Sequence, residues 1–240
     1  MRVWYNKTME KFIVDTEENL KSIGGEYREK FEAFRAYLLE FNEKYNLTAI
    51  TEEKDVTYKH FLDSAAARGL FFNGASVAEI GSGAGFPSVP LKILRGDLRF
   101  TLFESVGKKC DFLNFIVDKL ELSSMYICNM RSEDAARDKK YRENFDFAVA
   151  RAVARMNVLC EYSMPLVKKG GSFIAYKSAE LEEITEAKHA IKELGGAEAK
   201  IYPYELPEEY GKRNLAVVEK IKQTPAKYPR GNGKERKQPL

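Results

Sequence analysis

The stretch from Val77 to Pro87, VAEIGSGAGFP, constrains the fold more than any other part of this chain. Val77 to Ile80 reads as a short buried strand with Glu79 near its end. Gly81, Gly83 and Gly85 follow at alternate positions, and Pro87 opens a helix running through Leu91, Ile93 and Leu94. A strand that passes through a glycine loop into a helix is how an α/β sheet cradles an anionic or nucleotide-like ligand. Glycine permits positive φ and close approach of the backbone, and the helix N-terminus supplies free N–H donors. The spacing excludes two common versions. A dinucleotide fingerprint needs G-x-G-x-x-G, and here the third glycine comes one residue early, with Phe86 in the expected slot. No Gly-Lys-Ser/Thr follows, so the loop is not a P-loop. A tight turn that binds nothing stands as the plain alternative, because glycine-rich turns are common.

Upstream of the loop the pattern is helical. Tyr27, Phe31, Phe34, Leu38 and Phe41 recur at spacings of three and four and form one apolar stripe. A segment around Phe12 and Leu20 predicts an earlier helix, ended by Gly24 and Gly25. YNLTAIT is irregular, and a further helix spans about Tyr58 to Leu70. Residues 1–70 are therefore expected to form an N-terminal helical subdomain.

From Val77 onward, strands and helices alternate as in a parallel sheet covered on both faces. Strands are expected at Phe100 to Phe103, Met125 to Cys128, Phe145 to Ala150 and Ser172 to Tyr176. Helices are expected from Lys108, at Val158 to Val167, and from Leu181 to Leu194. Gly170 and Gly171 are expected to turn into the fifth strand. Two final strands, Ala199 to Tyr204 and Leu215 to Glu219, flank a Pro-containing loop. The expected fold is α/β, a seven-stranded Rossmann-like sheet at residues 71–220, with residues 221–240 as a basic C-terminal tail.

Composition narrows the class. Hydrophobic residues at 44% and charged residues at 31% are ordinary for a soluble globular protein. Lys7, Glu10, Lys11 and Asp15 stand where a signal peptide needs an apolar core, and no apolar run is long enough to span a membrane. Cys110, Cys128 and Cys160 are widely spaced, with no C-x-x-C. That argues against disulfides and a zinc site and fits a reducing cytoplasm. With only His60 and His189, a histidine-rich metal centre is not expected. Net charge is +3, yet Lys220 to Leu240 holds seven cations against Glu235 alone; that +6 leaves −3 for the rest. A cationic tail on a mildly acidic body suggests a polyanionic partner, and a solvated tail kept for solubility is the alternative.

An acid two residues before the first glycine, followed by G-x-G-x-G, is the pattern of S-adenosylmethionine-dependent methyltransferases. In that setting Glu104, at the end of the second strand, is placed to reach ribose hydroxyls outside the carboxyl ends of the strands. Ser132 and Glu133, after the third strand, fall where an adenine ring would lie, and Arg151 follows the fourth. No Asn-Pro-Pro-Tyr-like motif stands there to hold an exocyclic amine. No cysteine stands at that strand end or the next, so a C5-pyrimidine adduct is also disfavoured. What remains is transfer to an atom that is already nucleophilic. HFLDS, at His60 to Ser64, crowds its residues onto one helix, and without a G-x-S-x-G elbow it is not a hydrolase triad. His60 and Asp63 are expected to order that helix against YNLTAIT or to line the pocket mouth. Lys177, at the end of the fifth strand, is a candidate phosphate contact. A small-molecule methyltransferase and a non-enzymatic RNA-binding factor are the rival readings.

Eight segments occur in a family-specific order: NLTAIT at 46–51, HFLDS at 60–64, EIGSGAGFP at 79–87, ES with KK at 104–109, RSED at 131–134, ARAVAR at 150–155, YK at 176–177 and TPAKYPR at 224–230. On these segments the chain, from about residue 27 to 240, resembles the bacterial glucose-inhibited division protein B family, the ribosomal RNA small subunit methyltransferase G enzymes. The resemblance implies methylation of N7 of one guanine of 16S rRNA near the decoding centre, guanine 527 in rRNA numbering. S-adenosyl-L-methionine would be the donor, and a cytoplasmic monomer would act on the 30S subunit without metal or membrane. By position it implies cofactor contacts at Gly81, Phe86, Ser132, Glu133 and Arg151. Glu79, Gly83, Gly85 and Glu104 join that set, Arg151 ordering the catalytic face and Lys177, Lys227 and Arg230 holding RNA. Three departures stand out: Glu79 for the usual Asp, Ser88 for a usual Gly, and a tail, GNGKERKQPL, without the frequent Gly-x-Pro.

Overall fold

Strand β1 (Ser76–Ile80) alternates its side chains between two faces, and the two hydrophobic cores of the protein follow from that alternation. In the computed structural model, which describes residues 12–240, Val77 joins Phe100, Phe147 and Ile174 on one face, while Ala78 and Ile80 join Phe103, Ala148 and Phe173 on the other. The remaining strands are β2 (Arg99–Glu104), β3 (Met125–Asn129), β4 (Phe145–Arg151), β5 (Val167–Ser178), β6 (Lys200–Leu206) and β7 (Gly211–Glu219). They form one seven-stranded sheet in the order β3-β2-β1-β4-β5-β7-β6. The first five run parallel, and β7 pairs antiparallel with both β5 and β6. Strand order reverses between β1 and β4, and such a switch point opens a crevice at the carboxyl ends of the strands.

The helices are α1 (Thr16–Gly24), α2 (Arg28–Tyr45), α3, α4 (Ser88–Leu94), α5 (Gly107–Lys119), α6 (Ser132–Ala135), α7 (Met156–Ser163), α8 (Glu182–Glu186), α9 (Lys188–Glu193) and α10 (Lys234–Lys237). Helix α3 is composite: an α turn at Glu53–Asp55, a π-helical stretch at Val56–Leu62 and a closing turn at Asp63–Ala65. The apolar stripe of α2 buries Phe31, Phe34 and Leu38. Each such burial contributes about 1.5–3 kcal/mol. Phe34 meets Phe61 of α3 and Phe86 beyond the glycine loop, so the N-terminal helices share a core with the sheet.

Several boundaries differ from the sequence expectation. Gly170 and Gly171 lie inside β5, which starts at Val167 rather than Ser172. Gly171 is needed there because a Cβ would stand 2.3 Å from the Asp146 carbonyl oxygen. The helix expected at Val158 to Val167 ends at Ser163 and tightens into a 3-10 turn at Met164–Leu166. The helix expected from Leu181 to Leu194 is the pair α8 and α9. Lys7, Glu10 and Lys11, and the first residues of the expected 1–70 subdomain, lie outside the described residues.

The last residues are packed rather than free. Tyr228 is buried, and Arg142 donates to the carbonyls of Thr224 at 2.9 Å and Tyr228 at 2.8 Å. Lys220 is fully buried and paired with Glu143. Among the described residues no helix is long and apolar enough to cross a membrane.

Candidate active site

The glycine loop is held from below and from the side. Gly81 N–H donates to Phe103 O at 2.9 Å, and Gly85 N–H to Ser82 O at 2.8 Å. Gly81, Gly83 and Gly85 all have positive φ, at 64°, 58° and 88°. Glu104 is 5% exposed and braces the loop from the end of β2: its carboxylate accepts from Gly83 N–H at 2.9 Å and Val106 N–H at 2.8 Å. Glu79 is 0% exposed beneath the loop, so its carboxyl faces no open space. It accepts from Ser88 N–H at 3.3 Å, and the Ser82 and Ser88 hydroxyls face it; burial nevertheless raises its pKa to about 7. Glu79 and Ser88, two of the departures noted above, are thus direct neighbours.

Two recesses open at the carboxyl ends. The first is a cavity of about 100 Å³ lined by Gly81, Ser105, Ser132, Glu133, Tyr162 and Arg236, among others. The second is a cleft of about 550 Å³ lined by His60, Asp63, Arg151, Tyr176, Lys177 and Arg213, among others. The turn after β4 separates them. Ala152, with φ of 56°, lines the cleft, and the next residue, Val153, lines the cavity. An alanine in the left-handed region is strained, and such strain gathers at functional turns. Val153 also packs so closely on Gly81 that a Cβ there would lie 3.0 Å from it.

Arg151 is the hub of the cleft wall. Its Nη1 donates to Lys59 O at 2.8 Å and to Asp63 Oδ2 at 2.7 Å, and its Nη2 to His60 Nδ1 at 3.0 Å. Its guanidinium also lies 5.1 Å from the Phe86 ring centroid. A guanidinium only donates, so His60 Nδ1 is the acceptor and the proton sits on Nε2. That Nε2–H then donates to Thr48 Oγ1 at 2.8 Å, which ties the NLTAIT segment to the site. Burial, and then the Arg151 charge, push the His60 pKa down to about 3, so the ring is neutral. Its plane stacks on Phe86 with centroids 4.2 Å apart. Asp63 Oδ1 accepts from Tyr204 OH at 2.6 Å, and Tyr176 OH donates to Ser64 O at 2.7 Å.

The structure thus brings Gly81, Ser132 and Glu133 to the cavity wall and Arg151 and Lys177 to the cleft. Phe86 is buried against His60, between the loop and α3. The three cations expected to hold RNA are otherwise engaged. Lys177 is buried and donates to Glu183 at 3.0 Å and to Ala154 O at 3.1 Å. Arg230 forks onto buried Glu161 at 2.7 to 3.2 Å, and Lys227 pairs with Glu193 at 3.0 Å. Carboxylates claim these charges, buried at Glu161 and partly exposed at Glu183 and Glu193, which their sequence positions alone did not reveal. Lys222, Lys234, Lys237 and Arg213 have no carboxylate partner among the described residues. Sequence reading also missed Tyr204 and Arg236, which carry no motif, and gave no role to Tyr176 of the YK segment. Cys160 is core, its thiol pushed up to about 12 by burial.

A seven-stranded sheet of this order, with a glycine loop at its switch point, is a class I methyltransferase fold. Among solved structures it resembles an O-methyltransferase from Bacillus cereus, with a TM-score of 0.55 and 18% identity over 78% of this chain and 91% of that one. TYW2 from M. jannaschii gives 0.54 and 12% identity over 72% and 80%. Identities this low establish the shared fold alone. Sequence comparison goes further. The profile of the family described as rRNA small subunit methyltransferase G matches residues 27–209. Two proteins named ribosomal RNA small subunit methyltransferase G are similar over almost the whole chain. That of Lactobacillus acidophilus is 43% identical over 96% of this chain and 98% of its own. That of Brevibacillus brevis is 46% identical over 91% and 93%. The chain belongs to the rRNA small subunit methyltransferase G family.

Proposed function

We propose that this protein transfers a methyl group from S-adenosylmethionine to N7 of guanine 527 of 16S rRNA, acting as a cytoplasmic monomer on the 30S subunit. The observation that carries the reading, beside family membership, is the pair of recesses lined on one side by Ala152 and on the other by Val153. One is nucleoside-like in its lining, and the other is an open cleft with basic side chains. The residues present fit the cofactor. A Cβ built on Gly83 meets nothing closer than 3.9 Å, so the loop faces open space where a ligand backbone could approach. Glu104 has lone pairs left for ribose hydroxyls beside the two it gives to the loop. Ser132 and Glu133 offer polar atoms to an adenine edge.

When bound, the cofactor supplies an electrophilic methyl on a sulfonium. Guanine N7 has a free lone pair on the major-groove edge, so no general base is needed to expose it. The work left to the chain is alignment. Arg151, clamped by Asp63, Lys59 and His60, fixes the cleft wall and acts as a positioning residue. The neutrality of His60 keeps a second positive charge away from the cationic base that forms. Arg213 in the cleft, with Lys222, Lys234 and Lys237, is available to phosphates. The test is to map 7-methylguanosine in small-subunit rRNA from cells with and without the gene. Purified protein would then be assayed on 30S subunits and on naked rRNA. Loss of one 7-methylguanosine with the gene, restored by the protein, is expected. An unchanged map would overturn the reading.

A further inference from the structure

The C-terminal segment is clamped onto α7 and the loop that follows α6. Arg142 holds Thr224 and Tyr228, Arg137 donates to Pro229 O at 2.8 Å, and Arg230 N–H donates to Glu161 at 2.8 Å. Gly231 turns the chain with a φ of 73°, and a Cβ there would displace the Arg137 guanidinium. Glu235 is fully buried and closes the next turn by accepting from Gly231 N–H. These contacts lay α10 beside α7 and bring Arg236 to the wall of the cavity that also holds Ser132, Glu133 and Tyr162. Arg236 lies beside the Tyr162 hydroxyl, where its charge offsets part of the rise that burial imposes on that phenol. Among the described residues it has no carboxylate partner, unlike Arg230 nearby.

We propose that the C-terminal segment is part of the cofactor site, with Arg236 forming a wall of the adenine subsite. The proposal rests on the reading of that cavity as the adenosine end of the site. A guanidinium is suited to the role: it is flat, it donates to ring nitrogens, and it is attracted to aromatic faces. The segment would then serve the cofactor as well as any RNA, and the fold would build its nucleoside pocket from both ends of the methyltransferase domain.

Calorimetric titration with S-adenosylhomocysteine tests this on wild type, Arg236→Ala, Arg236→Lys and Glu133→Ala. Arg236→Ala is expected to weaken binding about two- to fivefold, with partial recovery in Arg236→Lys. The same loss is expected with 5′-methylthioadenosine, which has the adenosine but no amino-acid portion. If the loss vanishes with that ligand, Arg236 acts on the carboxylate and the proposal fails. If Glu133→Ala weakens binding and Arg236→Ala does not, the proposal is overturned while the adenine-site reading stands. If neither variant changes the affinity, both are overturned. Should Arg236→Ala lower the melting temperature of the free protein, Arg236→Gln keeps the aliphatic stem and carries the same comparison.

Discussion

Burial raises the Glu79 carboxyl to about 7, whereas burial and the Arg151 charge lower His60 to about 3, so the two groups tilt stability in opposite directions. Between pH 4.5 and 7 folded Glu79 keeps a proton that the unfolded chain has released. Its contribution therefore falls as pH rises through that window. Below pH 6.5 the unfolded chain protonates His60 while the folded ring refuses, so that contribution falls as pH drops toward 3. Glu79→Gln removes the first effect alone. Its melting temperature relative to wild type should climb from pH 4.5 to 7, by about 2–4 °C for each kcal/mol involved. A flat difference across that range would mean the carboxyl titrates normally. The glycines separate along another line. Gly83→Val meets only left-handed strain, about 1–2 kcal/mol, yet fills the space before the ligand. It should fold and fail to bind S-adenosylhomocysteine. Gly85→Ala would set a Cβ 2.6 Å from Val89 Cγ2 and 3.1 Å from Leu113 Cδ2. That variant should lose about 1–3 kcal/mol more in urea unfolding than left-handed strain alone predicts.

Between elements, the Arg151 hub joins β4 to α3, and Tyr204 of β6 reaches the same carboxylate. Asp63→Ala strands a largely buried guanidinium and should cost about 3–5 kcal/mol. Tyr204→Phe removes a single hydrogen bond, about 1 kcal/mol. Because this network faces the cleft and not the cavity, Tyr204→Phe should slow rRNA methylation and leave S-adenosylhomocysteine affinity unchanged. Equal losses in both measurements would show that the two recesses are not separable. The π-helical turn at Val56–Leu62 carries His60 and Lys59 into this network, and such turns gather at functional sites.

At the scale of the whole molecule, deleting residues 224–240 does more than trim charge. It would uncover α7 and leave the buried Glu161 carboxylate without Arg230, at about 3 kcal/mol for that group alone. The melting temperature should fall by about 6–12 °C at this chain length. A truncated protein that melts like wild type would restore the picture of a solvated tail.

The local signals were legible because they act over a few residues. Short buried runs marked β1 and β4, three-four spacing marked α2, and the glycine loop fixed the switch point, since φ > 0 and strand burial are local demands. Glu104 could be placed at a strand end for the same reason. What the sequence could not reveal was which charges cancel. Arg230 reads as a free cation until Glu161, 69 positions earlier, is folded against it, and Lys177 until α8 brings Glu183 to it. Arg151 likewise looks exposed until α3, about 90 positions upstream, closes on it. Ion pairing depends on distances of a few ångströms, whether the partners lie six positions apart or about ninety, and those distances exist only once the strands and helices have assembled.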